Sequence, residues 1–95
     1  MKRVLSPRAQ ADVDDIWEYT AQQWGERQAE IYISLIEEGV DEIADNPGVG
    51  RPCDDVRPGY RRYPVGSHVL FYRVRAADIV VVRILHQRID VERHL

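Results

Sequence analysis

Cysteine and long apolar runs are scarce in this sequence, and both absences exclude classes of protein. The one cysteine, Cys53, cannot form an internal disulfide or a cysteine-based metal site, so stability must come from packing. No apolar run approaches the ~18 residues that a membrane span requires. The segment 1–7 has too few apolar residues for a secretion signal. We therefore expect a cytoplasmic protein that has no contact with a membrane.

Familiar catalytic motifs are missing as well. The chain has no glycine-rich phosphate loop, no HExxH zinc motif, no nucleophile elbow and no His/Cys cluster with metal-ligand spacing. These absences argue against classical hydrolase or kinase chemistry. They also predict that the protein uses no cofactor and no metal.

The length and composition are those of a small globular domain. With 95 residues, the chain has room for one hydrophobic core, and we predict a single domain over residues 1–95. The hydrophobic share of 44% and the charged share of 31% exclude wholesale disorder.

Charge is divided unevenly along the chain. Residues 1–50 hold 4 Lys/Arg and 11 Asp/Glu, whereas residues 51–95 hold 9 Arg and 5 Asp/Glu, so the net charges are -7 and +4. An arginine-rich half would attract an anionic partner. Arginine without lysine also favours bidentate contacts to carboxylate or phosphate. The alternative is that the acids lie on two solvated helices and the arginines are scattered.

The first half of the chain predicts two helices. Ser6 is a typical N-cap, Pro7 suits a first helical position, and Gly25 ends the first helix. A second helix follows at once and ends near residues 46–48, so the pair must form an antiparallel hairpin. Gly39 inside the second helix indicates a close approach by the first helix or by a strand. Helical spacing assigns four aromatic residues to the core or to helix packing: Trp17, Tyr19, Trp24 and Tyr32.

The second half predicts strands. Residues 47–59 contain several Pro and Gly and are expected to form a long loop. Short runs rich in β-branched and aromatic residues predict strands at Lys2 to Leu5, Tyr60 to Pro64, Ser67 to Val74 and Ile79 to His86. The last run is apolar on both faces and should be a central strand beside the N-terminal one. The predicted class is α+β, with the order β-α-α-β-β-β: a small antiparallel sheet and an N-terminal helical hairpin packed on it.

The candidate functional residues lie on the sheet and on the segment that leaves it. They are Arg61, Arg62, Arg73, Arg83, His86, Arg88 and Asp90. Three uses remain open. His86 with the arginines could cleave RNA, the arginines alone could bind an acidic segment or a nucleic-acid backbone, or Arg83 and His86 could satisfy buried carboxylates and loop carbonyls.

Short runs along nearly the whole chain carry a family resemblance. They include Leu5-Ser6-Pro7, Ile16-Trp17, Trp24-Gly25, Asn46-Pro47, Gly50-Arg51, Arg57 to Arg61, Gly66-Ser67-His68, Phe71-Tyr72-Arg73 and Arg83 to Asp90. In this order and spacing, the runs resemble the ParE branch of the RelE/ParE toxin superfamily. The closing stretch RILHQRID is the most characteristic of them.

The resemblance implies a toxin of a type II toxin–antitoxin system with a β-α-α-β-β-β fold. It implies a ParD-like antitoxin as partner and DNA gyrase as target, with DNA contacted only indirectly through the antitoxin complex. The antitoxin tail is expected to be disordered alone, to fold along the helical hairpin and to place its acids on the arginines. No catalytic residue is expected; the candidate arginines would contact the target or the antitoxin.

RelE-like relatives suggest a different activity, because they cut messenger RNA on the ribosome. Their sites combine basic side chains with a tyrosine, histidine or glutamate near the end of the sheet. Arg61, Arg73, Arg83 and His86 lie in comparable regions of this sequence. However, no tyrosine or lysine follows the last predicted strand, and Lys2 is the only lysine. These departures favour gyrase inhibition and leave the ribonuclease as the alternative.

Overall fold

A computed structural model describes residues 1–95 as one mixed sheet with two long helices on one face. The elements in chain order are β1 (Lys2–Leu5), α1 (Pro7–Trp24), α2 (Glu26–Asp45), β2 (Arg51–Pro52), β3 (Tyr60–Val65), β4 (His68–Val74), β5 (Asp78–His86) and α3 (Val91–His94). The strand order across the sheet is β1-β5-β4-β3-β2. This confirms the predicted α+β class, the helical hairpin and the central position of the last strand. Neither long helix carries the apolar stretch that a membrane span requires.

The helical hairpin follows from its caps. The Ser6 side chain accepts a hydrogen bond from the Ala9 backbone N–H at 3.0 Å, and Pro7 occupies the first helical position. Gly25 then adopts φ 94°, a conformation that residues with a side chain rarely adopt. Its N–H donates a hydrogen bond to the carbonyl of Ala21. Because α2 starts at the next residue, the two helices must fold back on each other.

The main core fills the space between the hairpin and the sheet. Its largest fully buried side chains include Ile36 and Ile43 from α2 and Tyr72 from β4. As predicted, Gly39 marks a close approach: a Cβ there would lie 2.5 Å from the Cγ2 atom of Val65 in β3. A second, smaller cluster lies on the other side of the sheet, which we call the outer face. Its buried members are Cys53, Val69, Phe71 and Leu85, and Val91 and Leu95 pack against it.

Three features correct the predicted sheet. β1 runs parallel to β5, so the sheet is mixed rather than antiparallel. The segment predicted as a loop contains the two-residue strand β2, and the chain ends in the four-residue helix α3. An alternating pattern identifies the buried face of a strand but not its direction, and elements as short as these show no measurable periodicity.

Two of the four aromatic predictions are wrong. Trp24 is 66% exposed and Tyr19 is 60% exposed. Their rings contact each other edge-on with centroids 6.4 Å apart, at the rim of a cleft near the end of α1. Tyr32 does pack against the core, and Trp17 is half-buried.

Candidate functional site

Cross-strand pairing assigns the candidate residues to the two faces of the sheet. Residues directly opposite each other on paired strands point to the same face. One row on the outer face contains Arg51, Arg62 and Phe71, because Arg51 pairs with Arg62 and Arg62 pairs with Phe71. A row on the helix face contains Val65, His68 and His86. The side chains of the adjacent residues Arg61 and Arg62 therefore point to opposite faces of the sheet.

Arg83 forms an ion pair and hydrogen bonds with other residues of the chain. Its Nε and Nη2 atoms donate to the two carboxylate oxygens of Asp12 at 2.8 and 2.9 Å, and Nη1 donates to the His94 carbonyl at 2.9 Å. Both side chains are only 12% exposed. The hydrogen bonds that Arg83 donates to the Asp12 carboxylate raise the pKa of its guanidinium, so the guanidinium stays charged. This geometry matches the structural use of Arg83 among the alternatives.

Asp12 also satisfies a backbone N–H group at the edge of the sheet. β1 pairs with β5 only as far as Leu5 and Val81, so the next part of β5 has β4 on one side and no strand on the other. There the Asp12 carboxylate accepts the backbone N–H of Ile84 at 2.9 Å, and the Ser6 hydroxyl donates to the carbonyl of Val82 at 2.7 Å. Side chains around the start of α1 thus satisfy the groups that a longer β1 would have paired.

The outer face carries a group of arginines without acidic partners, which we call the outer arginine group: Arg51, Arg62 and Arg73. The ion pairs of the chain are Arg3–Asp41, Arg75–Asp78 and Arg83–Asp12, so none involves these three residues. The Arg62 guanidinium lies over the ring of Phe71, with its carbon 5.4 Å from the ring centroid.

The remaining candidates are separated from this group. Arg61 turns to the helix face and donates to the Gly50 carbonyl at 2.7 Å. Arg88 and Asp90 are exposed in the turn after β5, and the Asp90 side chain forms no capping bond to α3. The Arg88 backbone N–H donates to Nδ1 of His86 at 3.2 Å.

A cleft of about 400 Å³ lies between the hairpin and the sheet end that carries His86. The Tyr32 hydroxyl and Nδ1 of His68 are hydrogen-bonded at 2.6 Å, and the same hydroxyl accepts the Ser67 N–H at 3.0 Å. The rings of His68 and His86 meet edge-on with centroids 5.4 Å apart. Burial, and then the charge of His86, lower the pKa of His68. No three His, Cys, Asp or Glu side chains converge in a way that could hold a metal ion.

The lowered pKa of His68 predicts that acid destabilises the fold through this residue. The unfolded chain binds the proton more readily, so the free energy of unfolding should fall as the pH drops below about 6.5 and level off below the folded pKa. Urea unfolding at about pH 7.5 and about pH 5.5 measures this loss. His68→Asn should lose less stability than the parent between these conditions. His94→Asn, on α3, is the control and should lose as much as the parent; an equal loss in all three proteins would contradict the prediction.

The residues proposed for RNA cleavage do not form one site. His86 and Arg73 lie on opposite faces of the sheet. They also lie near opposite ends of β4, because His86 pairs with residue 68 at its start and Arg73 is close to its end. Five residues of strand separate residues 68 and 73, which is about 17 Å. Arg61 pairs with Tyr72 toward the same far end of β4. The structure therefore brings together a different set, namely Tyr32, His68 and His86, and no arginine lines their cleft.

Solved structures share this architecture. A chain of the chromosomal ParDE TA system from P. aeruginosa superposes with a TM-score of 0.80 at 27% identity, over 90% of this chain and 95% of that chain. A mixed sheet under an N-terminal helical hairpin, with these sequence runs, defines the RelE/ParE-like toxin class.

The sequence comparisons narrow this class. The family model described as ParE toxin of type II toxin-antitoxin system, parDE, matches residues 4–91. Toxin ParE1 of Mycobacterium tuberculosis (strain CDC 1551 / Oshkosh) is 50% identical over 93 residues, which cover 97% of this chain and 95% of that protein. Toxin ParE1 of Caulobacter vibrioides is 46% identical over 91 residues, covering 96% and 94%. The chain belongs to the ParE toxin family of type II toxin–antitoxin systems.

Proposed function

We propose that this ParE family member inhibits DNA gyrase by binding it, without cleaving a nucleic acid itself, and that a ParD-like antitoxin neutralises it. The observation that carries the non-enzymatic part is the separation of His86 from Arg61 and Arg73. RNA cleavage needs an acid, a base and cations around one phosphate. In this chain the nearest acid–base pair, His68 and His86, has no arginine in its cleft. Because gyrase is a cytoplasmic enzyme, the proposed site of action is the cytoplasm.

Membership of the family supports gyrase as the target, and the surface properties suit a binding role. Large parts of the outer arginine group are exposed, and Tyr19 and Trp24 present aromatic surface on the other side of the molecule. Arginine and aromatic side chains are the residue types that most often dominate binding energy at protein interfaces. A toxin that acts by binding requires such surfaces and no catalytic set.

A plasmid cleavage assay tests the proposal. The purified protein, gyrase, ATP and supercoiled plasmid are incubated together, and we expect broken plasmid to accumulate after protein denaturation. The same mixture without gyrase should leave the plasmid intact. Premixing with the antitoxin encoded beside the toxin gene should abolish the breaks. Unimpaired supercoiling at excess toxin would reject gyrase as the target.

The paired imidazoles of His68 and His86 favour one second candidate, a ribosome-dependent ribonuclease. Two histidines in one cleft can act as general acid and base. This candidate predicts codon-phased messenger cleavage in cells that express the protein, read by primer extension. Full toxicity of His86→Ala without such cleavage would exclude it.

A further inference from the structure

The outer arginine group has a geometry that fits one kind of ligand. Arg51 and Arg62 lie directly opposite each other on β2 and β3, and like charges in this relation repel. Neither side chain has a hydrogen bond or an ion pair with an acid of this chain. Asp54 and Asp55, in the loop after β2, form no ion pair with them either, and Asp54 accepts the N–H of Gly59 instead. An anion placed between the two guanidinium groups would remove the repulsion.

Arg73 extends this group in the direction of the strands. It pairs with Tyr60, and Arg62 pairs with Phe71, so Arg62 and Arg73 are diagonal neighbours on the same face. Diagonal neighbours lie about 7–8 Å apart. Alternate side chains of an extended peptide lie nearly the same distance apart, about 7 Å, and point to the same side. Two acidic residues separated by one residue would therefore meet Arg62 and Arg73 together.

The group also has an ordered, partly apolar floor. The Arg62 guanidinium already rests on Phe71, and Tyr60 packs against the same small cluster. A side chain that is held in place loses less conformational freedom when it binds. Phe71 is only 2% exposed beneath Arg62, so the half-buried Tyr60 ring is the apolar surface left for a ligand. An extended segment that alternates acidic and apolar side chains is complementary to both the charges and this ring.

We propose that the outer arginine group binds an extended acidic segment with carboxylates at alternate positions, and that this segment belongs to the antitoxin. The identity of the partner rests on the function proposed above, whereas the chemistry of the segment rests on the geometry alone. A nucleic-acid backbone fits less well. Binding to a nucleic-acid backbone gains its affinity from counterions that many basic side chains displace, and three arginines, of which Arg62 is half-buried, displace few.

Fluorescence anisotropy with two synthetic peptides tests the proposal without gyrase or antitoxin. One fluorescein-labelled peptide alternates Glu and Val, and the other has the same composition with the glutamates in adjacent pairs. At low ionic strength the alternating peptide should bind the parent protein more tightly than the paired peptide does. The substitutions Arg51→Gln and Arg62→Gln together should weaken its binding about tenfold. The control Arg8→Gln with Arg27→Gln, two exposed changes on α1 and α2 with the same loss of charge, should leave binding unchanged.

Each other outcome counts against the proposal. Equal binding by the parent and the Arg51→Gln/Arg62→Gln variant would overturn the site. Equal binding of the two peptides would overturn the alternate spacing. Tighter binding of labelled oligothymidine through the same arginines would make the ligand a nucleic acid. Urea unfolding of each variant confirms that it is folded. The plasmid result tests gyrase separately, so either proposal can fail while the other stands.

Discussion

Replacing Asp12 with alanine should destabilise the protein by about 3–5 kcal/mol, the largest loss that we expect from a single substitution. The change leaves the Arg83 guanidinium charged, 12% exposed and without its carboxylate. It also removes the acceptor for the Ile84 N–H at the unpaired part of β5. Small domains have total stabilities of about 5–15 kcal/mol, so the variant should be close to unfolding. Urea or thermal unfolding followed by circular dichroism measures the loss.

Two further variants separate the ion pair from a general effect on α1. Asp15→Ala changes the same residue type on an exposed position of the same helix and should alter stability by less than about 0.5 kcal/mol. Combining Asp12→Ala with Arg83→Met should recover part of the loss, because no buried charge then remains unpaired. If Asp12→Ala and Asp15→Ala unfold at the same urea concentration, the pair does not stabilise the fold.

Replacing Gly50 with alanine should cost about 2–4 kcal/mol, the second largest effect. A Cβ atom at this position would lie 2.7 Å from Cε1 and 2.9 Å from Cζ of Tyr72. That ring is fully buried and cannot move aside. Its hydroxyl accepts the Gly50 N–H at 2.9 Å and donates to the Pro47 carbonyl at 2.8 Å, so a displaced ring would also lose these bonds.

Gly48 provides a matched control two residues earlier in the same turn. A Cβ there would meet no atom within 4 Å, and the backbone does not require glycine. Gly48→Ala should therefore be neutral, or stabilising by up to about 1 kcal/mol through the unfolded state. Comparable losses for Gly48→Ala and Gly50→Ala would show that contact with Tyr72 is not the cause. Chemical denaturation of both variants decides the question.

Much of the fold could be predicted because local patterns determine it. Ser6, Pro7 and Gly25 set the ends of α1 through their own backbone preferences, and the predicted strand ends differ from the observed ones by one residue at most. The apolar run in β5 identified it as the central strand. The direction of β1 depends on how the whole hairpin crosses the sheet, and no pattern within four residues encodes that.

The candidate site was harder to predict because it depends on register. Arg61 and Arg62 are adjacent in sequence, yet one bonds to the Gly50 carbonyl on the helix face and the other lies over Phe71. The partner of Arg83 is 71 residues away. His68 acquires its significance from pairing opposite His86, and Arg51 from a strand of two residues. The clustering of arginines was visible in the sequence, but which of them are free was not.

The way α1 covers the unpaired part of β5 bears on how this protein avoids aggregation. An edge strand presents unpaired backbone N–H and C=O groups, to which a second copy can add its own strand. Here one edge of the sheet is the four-residue β1. Beyond it, the side chains of Ser6 and Asp12 occupy backbone groups of β5 that a second copy would otherwise bind. The opposite edge is β2, only two residues long and ending in Pro52, which has no N–H to offer. Beyond β2, β3 leaves only Tyr63, Pro64 and Val65 without a neighbour, and Pro64 again has no N–H. The open borders are therefore short and interrupted by proline, which limits the addition of a strand from another copy.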